Sequence, residues 1–145
     1  MKYKLTKNKK TIKEITLYQI EALKDFSDIK KGDLGGWIEK ESNLSHRGDC
    51  WVYGDARVYG RAMVCDNARV FGNAWVYGDA QVSGDAWVYG RAMVCDNAQV
   101  SSDDWAYGRA RVYGDARVSG DARIYGDSID LYGELSKFKI NNYEI

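Results

Sequence analysis

From Val52 to Val100 a valine returns every sixth residue, and Ala106, Val112, Val118 and Ile124 keep the step. From Val58 onward the residue two places before is Ala, with Asp104 the one exception. Two places after stands Gly in most units, otherwise Asp66, Asp96 or Ser102. An even step keeps Ala and Val on one face of an extended strand. A Gly at fixed phase supplies the positive-φ corner that turns the chain after each short strand. The decapeptide YGRAMVCDNA, present at 59–68 and again at 89–98, is therefore a copy of repeat units, thirty residues being five steps.

The number of corners per coil follows from sorting the residue after each valine. At a spacing of eighteen, one column reads Tyr53, Phe71, Tyr89, Tyr107, Tyr125. The next reads Tyr59, Tyr77, Cys95, Tyr113, and the third Cys65, Ser83, Ser101, Ser119. Aromatic and small residues separate only at this spacing, which predicts three strands per coil and a triangular prism. Backwards, Ile38 and Leu44 keep the step, and two extra residues fall within SHRGDC before Val52. Fifteen rungs from Ile38 to Ile124 make about five coils, roughly 24 Å tall at the ~4.8 Å spacing of paired strands.

With this pattern, residues 36–126 resemble the hexapeptide-repeat family. The resemblance implies an all-β left-handed parallel β-helix with eighteen residues per coil. It leaves residues 1–35 as a small β-rich N-terminal cap and 127–145 as a short C-terminal cap, both needed because open coils end in unpaired strand edges. KYKLTKNKKTIKEITL alternates around a Lys-Asn break and reads as a hairpin. LYQIEALKDF alternates too, with a helix as the alternative. The flank KKGDLGGWIEKESNLS resembles the lead-in of uncharacterised hexapeptide-repeat proteins of phages and bacteria.

Net charge is zero but unevenly spread: residues 1–48 carry ten Lys, one Arg and seven acids, whereas every basic residue within 49–136 is Arg. Interleaved acids make the Lys-rich flank a solvated face rather than a surface for extended nucleic acid. No run of 18 apolar residues occurs, and no apolar stretch follows MKYKLTKNKK, so neither a membrane span nor a secretory leader is expected. Cys50, Cys65 and Cys95 sit at repeat positions without metal-ligand spacing. They read as reduced thiols of a cytoplasmic protein, Cys50 facing inward.

Enzymes of the family are acyltransferases using coenzyme A or acyl carrier protein, typically trimers with a His base on a projecting loop. The single histidine, His46, lies in the one irregular loop, but no second catalytic partner accompanies it. Carbonic anhydrases of this fold need three His, and ice-binding β-helices show Thr ladders that these repeats lack. The column Asn67, Asp85, Asp103, Asp121 reads as a solvated edge rather than a cation site.

The residues preceding the core positions project from the faces: Trp51, Arg69, Trp87, Trp105, Arg123 on one, Trp37, Arg57, Trp75, Met93, Arg111 on the next. Exposed Trp and Met mark an interface, and Trp51, Arg69, Trp75 and Met93 are the expected contacts of a homotrimer. Trp87, Tyr89 and Arg91 lie one coil from Trp105, Tyr107 and Arg109, with Arg111 round the corner. Rings beside guanidinium groups suit a nucleotide-like ligand. The reading is a non-catalytic binding protein, without metal or cofactor, presenting these seven residues to a small nucleotide-like molecule or a host protein, in a counter-defence role if phage-encoded. A coenzyme A-dependent acyltransferase using His46 and a structural spacer are the alternatives. Asp104, in an Ala slot, is expected to be turned outward by a bulge, since an unpaired buried carboxylate is costly.

Overall fold

A computed structural model describes residues 1–125 and the backbone of a strand at Asp130–Leu135. Three strands come first: β1 (Tyr3–Ile12), β2 (Ile15–Ala22) and β3 (Leu34–Ile38). From Trp51 onward the chain makes two-residue strands, one per repeat unit, except that Arg111–Val118 is a single strand across two units, and strands eighteen residues apart pair in parallel. Thus Trp87 pairs with Arg69 and Trp105, and Met93 with Trp75 and Arg111. Gln99 pairs with Gln81 and Arg117. The three stacks form a β-solenoid of about five coils, and Asp130–Leu135 extends it by pairing in parallel with Arg111–Val118. The rest of the expected C-terminal cap, over 127–145, lies outside the described residues.

The inward residues are those the six-residue step predicts. Ala and Val from Ala56 to Val100 are fully buried at every rung, each Val contributing about 1.5–3 kcal/mol. Corners stack so closely that a Cβ on Gly72 would meet the Gly90 backbone nitrogen at 2.9 Å. Asp66, Asp96 and Ser102, which stand where Gly is missing, also take positive φ, 59°, 58° and 56°. Both Asp side chains accept the N–H of the Gly one coil on, Gly84 (2.9 Å) and Gly114 (3.0 Å). This bond offsets part of the strain of a non-glycine residue at such a corner.

The cap is a hairpin whose second strand runs antiparallel to β3, joining it to the solenoid's second face. LYQIEALKDF is thus strand as far as Ala22, not helix. The Lys7-Asn8 break is not the turn. The chain reverses at Lys13–Glu14, with Lys13 at φ 55°, and the break is an irregularity within β1. There Thr6 Oγ1 accepts the Asn8 N–H and donates to the Gln19 carbonyl.

Two expectations are corrected. Trp51 is not on an outer interface: it is fully buried, because the cap folds over it and packs Tyr3 and Phe26 edge-on against its ring at 6.2 and 5.2 Å. Gly35 admits this packing, since a Cβ there would come within 2.8 Å of the Trp51 ring. Nor is Asp104 turned out by a bulge. It too is fully buried, and it offsets part of the cost of burial by accepting two backbone N–H groups, from Ala122 (2.7 Å) and Ser101 (3.3 Å). At ordinary corners the Ala N–H bonds the carbonyl three residues back, as Ala92 does with Tyr89 (3.3 Å). Ala122 donates to the carboxylate one coil below instead, and the corner before it carries two successive positive φ values, Gly120 73° and Asp121 61°.

Candidate functional site

On the first face, register places Arg69, Trp87, Trp105 and Arg123 in one column. Trp87 and Trp105 stack at 5.0 Å and 3°. The Arg123 guanidinium lies 4.1 Å from the outer face of Trp105, and that of Arg69 6.0 Å from Trp87. Beside them Phe71, Tyr89, Tyr107 and Tyr125 stack at 4.6, 4.9 and 4.8 Å. A planar ring inserted between two others needs about 7 Å, twice a van der Waals contact. No such gap exists along this ladder, so the surface offers ring edges flanked by guanidinium groups. On one side of the Trp pair lie Asp28, Tyr53, Arg69 and Phe71, and on the other the Asp85, Asp103 and Asp121 column. Partial desolvation and the neighbouring Asp121 and Asp85 push the Asp103 carboxyl up. Among the described residues no group of His, Cys, Asp and Glu is placed to hold a metal ion.

The seven residues singled out in the sequence do not converge on one spot. Trp87 with Trp105 and Tyr89 with Tyr107 are brought together as expected. Arg91 turns the corner and lines a cleft of about 540 Å³ with Asp55, Arg57, Asn73, Trp75, Met93 and Lys10. Arg111 lines a separate, smaller cleft with Tyr77, Met93, Cys95, Asp96 and Tyr113. Sequence reasoning missed Lys10 and Arg57 in this role. Arg57 was legible as an outward residue one column from Arg91, but Lys10 reaches the cleft only because β1 folds alongside the second face. Of the expected self-association residues, Arg69 is also engaged by the cap, donating to Ser27 Oγ (2.9 Å) near Asp28, whereas Trp75 and Met93 are half-buried.

His46 is a joint between cap and solenoid. Its Nδ1 accepts the backbone N–H of Lys2 (3.2 Å), which leaves the proton on Nε2 to donate to Glu41 Oε1 (3.1 Å). Its ring stacks on Tyr3 at 4.1 Å. The lone pair a general base would use is therefore already bonded to the backbone. Next to it the buried Lys2 ammonium donates to the carbonyls of Gly48 (3.2 Å) and Cys50 (2.7 Å) and contacts the Cys50 thiol (3.4 Å). Burial pushes that thiol up, against the pull of Lys2. Cys50 faces inward as expected, and all three cysteines are free.

A family described as the YdcK beta solenoid repeat matches residues 62–78 and 116–132. A protein of Escherichia coli (strain K12) named "Uncharacterized acetyltransferase YdcK" is 46% identical over 43 residues. The chain is a β-solenoid with a six-residue repeat. The aligned stretch is 30% of this chain and 13% of the E. coli protein, so the chain spans only a small part of that relative's length. No helix among the described residues of the solenoid is long and apolar enough to cross a membrane.

Proposed function

We propose that the chain is a non-catalytic binding protein that holds a small anionic, nucleotide-like ligand on the aromatic–arginine surface around its first corner. The observation that carries this reading is the corner column itself. Asp55 and Asn73 hold the corner in two coils and Arg91 and Arg109 in the next two. The arginines are thus surplus to the fold and stand beside the stacked Tyr89 and Tyr107. Arginine at such a place binds carboxylate or phosphate with paired hydrogen bonds. The occupied lone pair of His46 supports binding without turnover. Threefold self-association, also expected, is checked by light scattering at micromolar concentration.

The test is calorimetric titration with ADP, and mass spectrometry of small molecules that copurify with the native protein. Arg91→Asp with Arg109→Asp restores an acid at the corner and should leave the fold intact. Its ADP affinity should fall at least a hundredfold, roughly 3 kcal/mol. Unchanged affinity would refute the site.

A second reading, coenzyme A-dependent acetyl transfer, is favoured by the name of the E. coli relative. Acetyl-coenzyme A carries an ADP moiety, so binding alone does not separate the two. Thiol release from acetyl-coenzyme A that disappears in His46→Ala would establish the enzyme reading and overturn ours.

A further inference from the structure

The second face carries an alternation of cations and rings that its sequence column shows only in part. Lys10 Nζ lies 4.0 Å from the Trp37 ring, and the Arg57 guanidinium 5.2 Å from that of Trp75. Register puts Arg57 between these two tryptophans, with Met93 on the far side of Trp75. Clamped there, Arg57 has its Nε buried without a hydrogen-bond partner, an expensive state for a charged donor. Lys10 and Arg91 line the same cleft, and Asp55 is the one carboxylate on its wall, so two positive charges are left over. Burial and the neighbouring Arg57 pull the Lys10 pKa down, against the attraction of Asp55. Three cations from three separate segments, held near one another with a single acid among them, are maintained at a cost that an anion would remove.

Resting on the binding reading above, we infer that this cleft is a phosphate site. Lys10, Arg57 and Arg91 grip the phosphoryl end of a nucleotide-like ligand, and Trp75 and Met93 bear its organic part. An excess of two charges matches a phosphate dianion, whereas a carboxylate would leave one uncancelled. A volume of about 540 Å³ is within the range of small-molecule sites. Because Lys10 belongs to the cap and Arg57 and Arg91 to the coils, the ligand bridges the two.

The experiment titrates inorganic pyrophosphate, ADP and, as a carboxylate control, citrate into the wild-type chain and three variants. Lys10→Gln removes the charge from a hairpin residue that lies outside the coils; Arg91→Gln lies at an exposed corner; Lys7→Gln, at the same hairpin but away from the cleft, is the control. Pyrophosphate and ADP binding that weakens at least tenfold in Lys10→Gln and Arg91→Gln but not in Lys7→Gln is the expected result. Hydrogen exchange of residues 6–12 should slow on saturation with pyrophosphate. ADP binding that ignores Lys10→Gln yet fails in Arg91→Asp/Arg109→Asp would overturn the cleft and leave the binding function standing. Citrate binding more tightly than pyrophosphate would overturn the phosphate assignment alone. Binding of none of the three would overturn both.

Discussion

Changing Asp104 to Ala and Ala106 to Val together would return the one irregular rung to the Ala-x-Val pattern of its neighbours. The Asp104 carboxyl is fully buried, and burial pushes its pKa up to about 6 despite the N–H groups of Ala122 and Ser101. Against an unfolded value near 4, that is about two units, or roughly 3 kcal/mol. An acid whose folded pKa is raised binds more protons in the folded state than in the unfolded one between those values. Stability therefore falls as pH climbs from about 4 to about 6 and stays lower above it. The variant has no such group, so its stability relative to wild type should rise by roughly 3 kcal/mol between pH 4 and pH 7.5. At about 2–4 °C per kcal/mol for a chain of this size, the melting temperatures should diverge by about 6–12 °C over that interval. The single change Asp104→Ala isolates the titration from the methyl groups that Ala106→Val adds, and should show the same divergence. The Ala122 N–H freed by either change has the carbonyl three residues back to return to, as at other corners. Parallel pH profiles in wild type and both variants would refute the reasoning, as would a variant less stable than wild type at pH 7.5.

Trp51→Ala removes the ring on which Tyr3 and Phe26 rest and should cost about 3–5 kcal/mol in chemical unfolding, where a truly surface tryptophan would cost far less. Gly35→Ala places a methyl against the Val52 carbonyl at 2.6 Å and the Trp51 ring. It should lower the melting temperature and loosen the cap, seen as faster hydrogen exchange over 1–22. His46→Ala leaves the Lys2 N–H unpaired and unstacks Tyr3, a loss of about 1–3 kcal/mol in the stability of the cap. ADP affinity should be unchanged, and a tenfold drop would contradict the joint assigned to His46.

The solenoid was legible because its physics is periodic: one inward pair per six residues and one aromatic column per eighteen leave few other shapes available. Cys50 inside and the stacked Trp87–Trp105 pair follow from the same arithmetic. What the period does not encode is how the non-repeating flank lies on the coils. Trp51 has the outward phase and is nonetheless buried, since phase says nothing of what covers a face. Asp104 was misread because the count treats each rung alone, whereas its partner is the backbone of the next coil. Lys10 joins Arg57 and Arg91 through an antiparallel pairing that no spacing announces. Alternation in β2 sufficed for a strand, but the turn at Lys13–Glu14 carries no Gly or Asn to mark it.

Thirty residues are five rungs but not a whole number of coils, so the two copies of YGRAMVCDNA face different ways. Arg61 in the first pairs with Asp79 at 3.2 Å, while Arg91 in the second lines the cleft. Gain or loss of a single rung leaves the Ala–Val interior as it was and turns everything downstream to the next face. Slippage in so repetitive a coding stretch thus rewrites surface chemistry at constant fold. Six residues lost ahead of Tyr89 would carry Arg91 to the corner now held by Asp85 and dissolve the cation cluster, while the valines that remain keep their inward register.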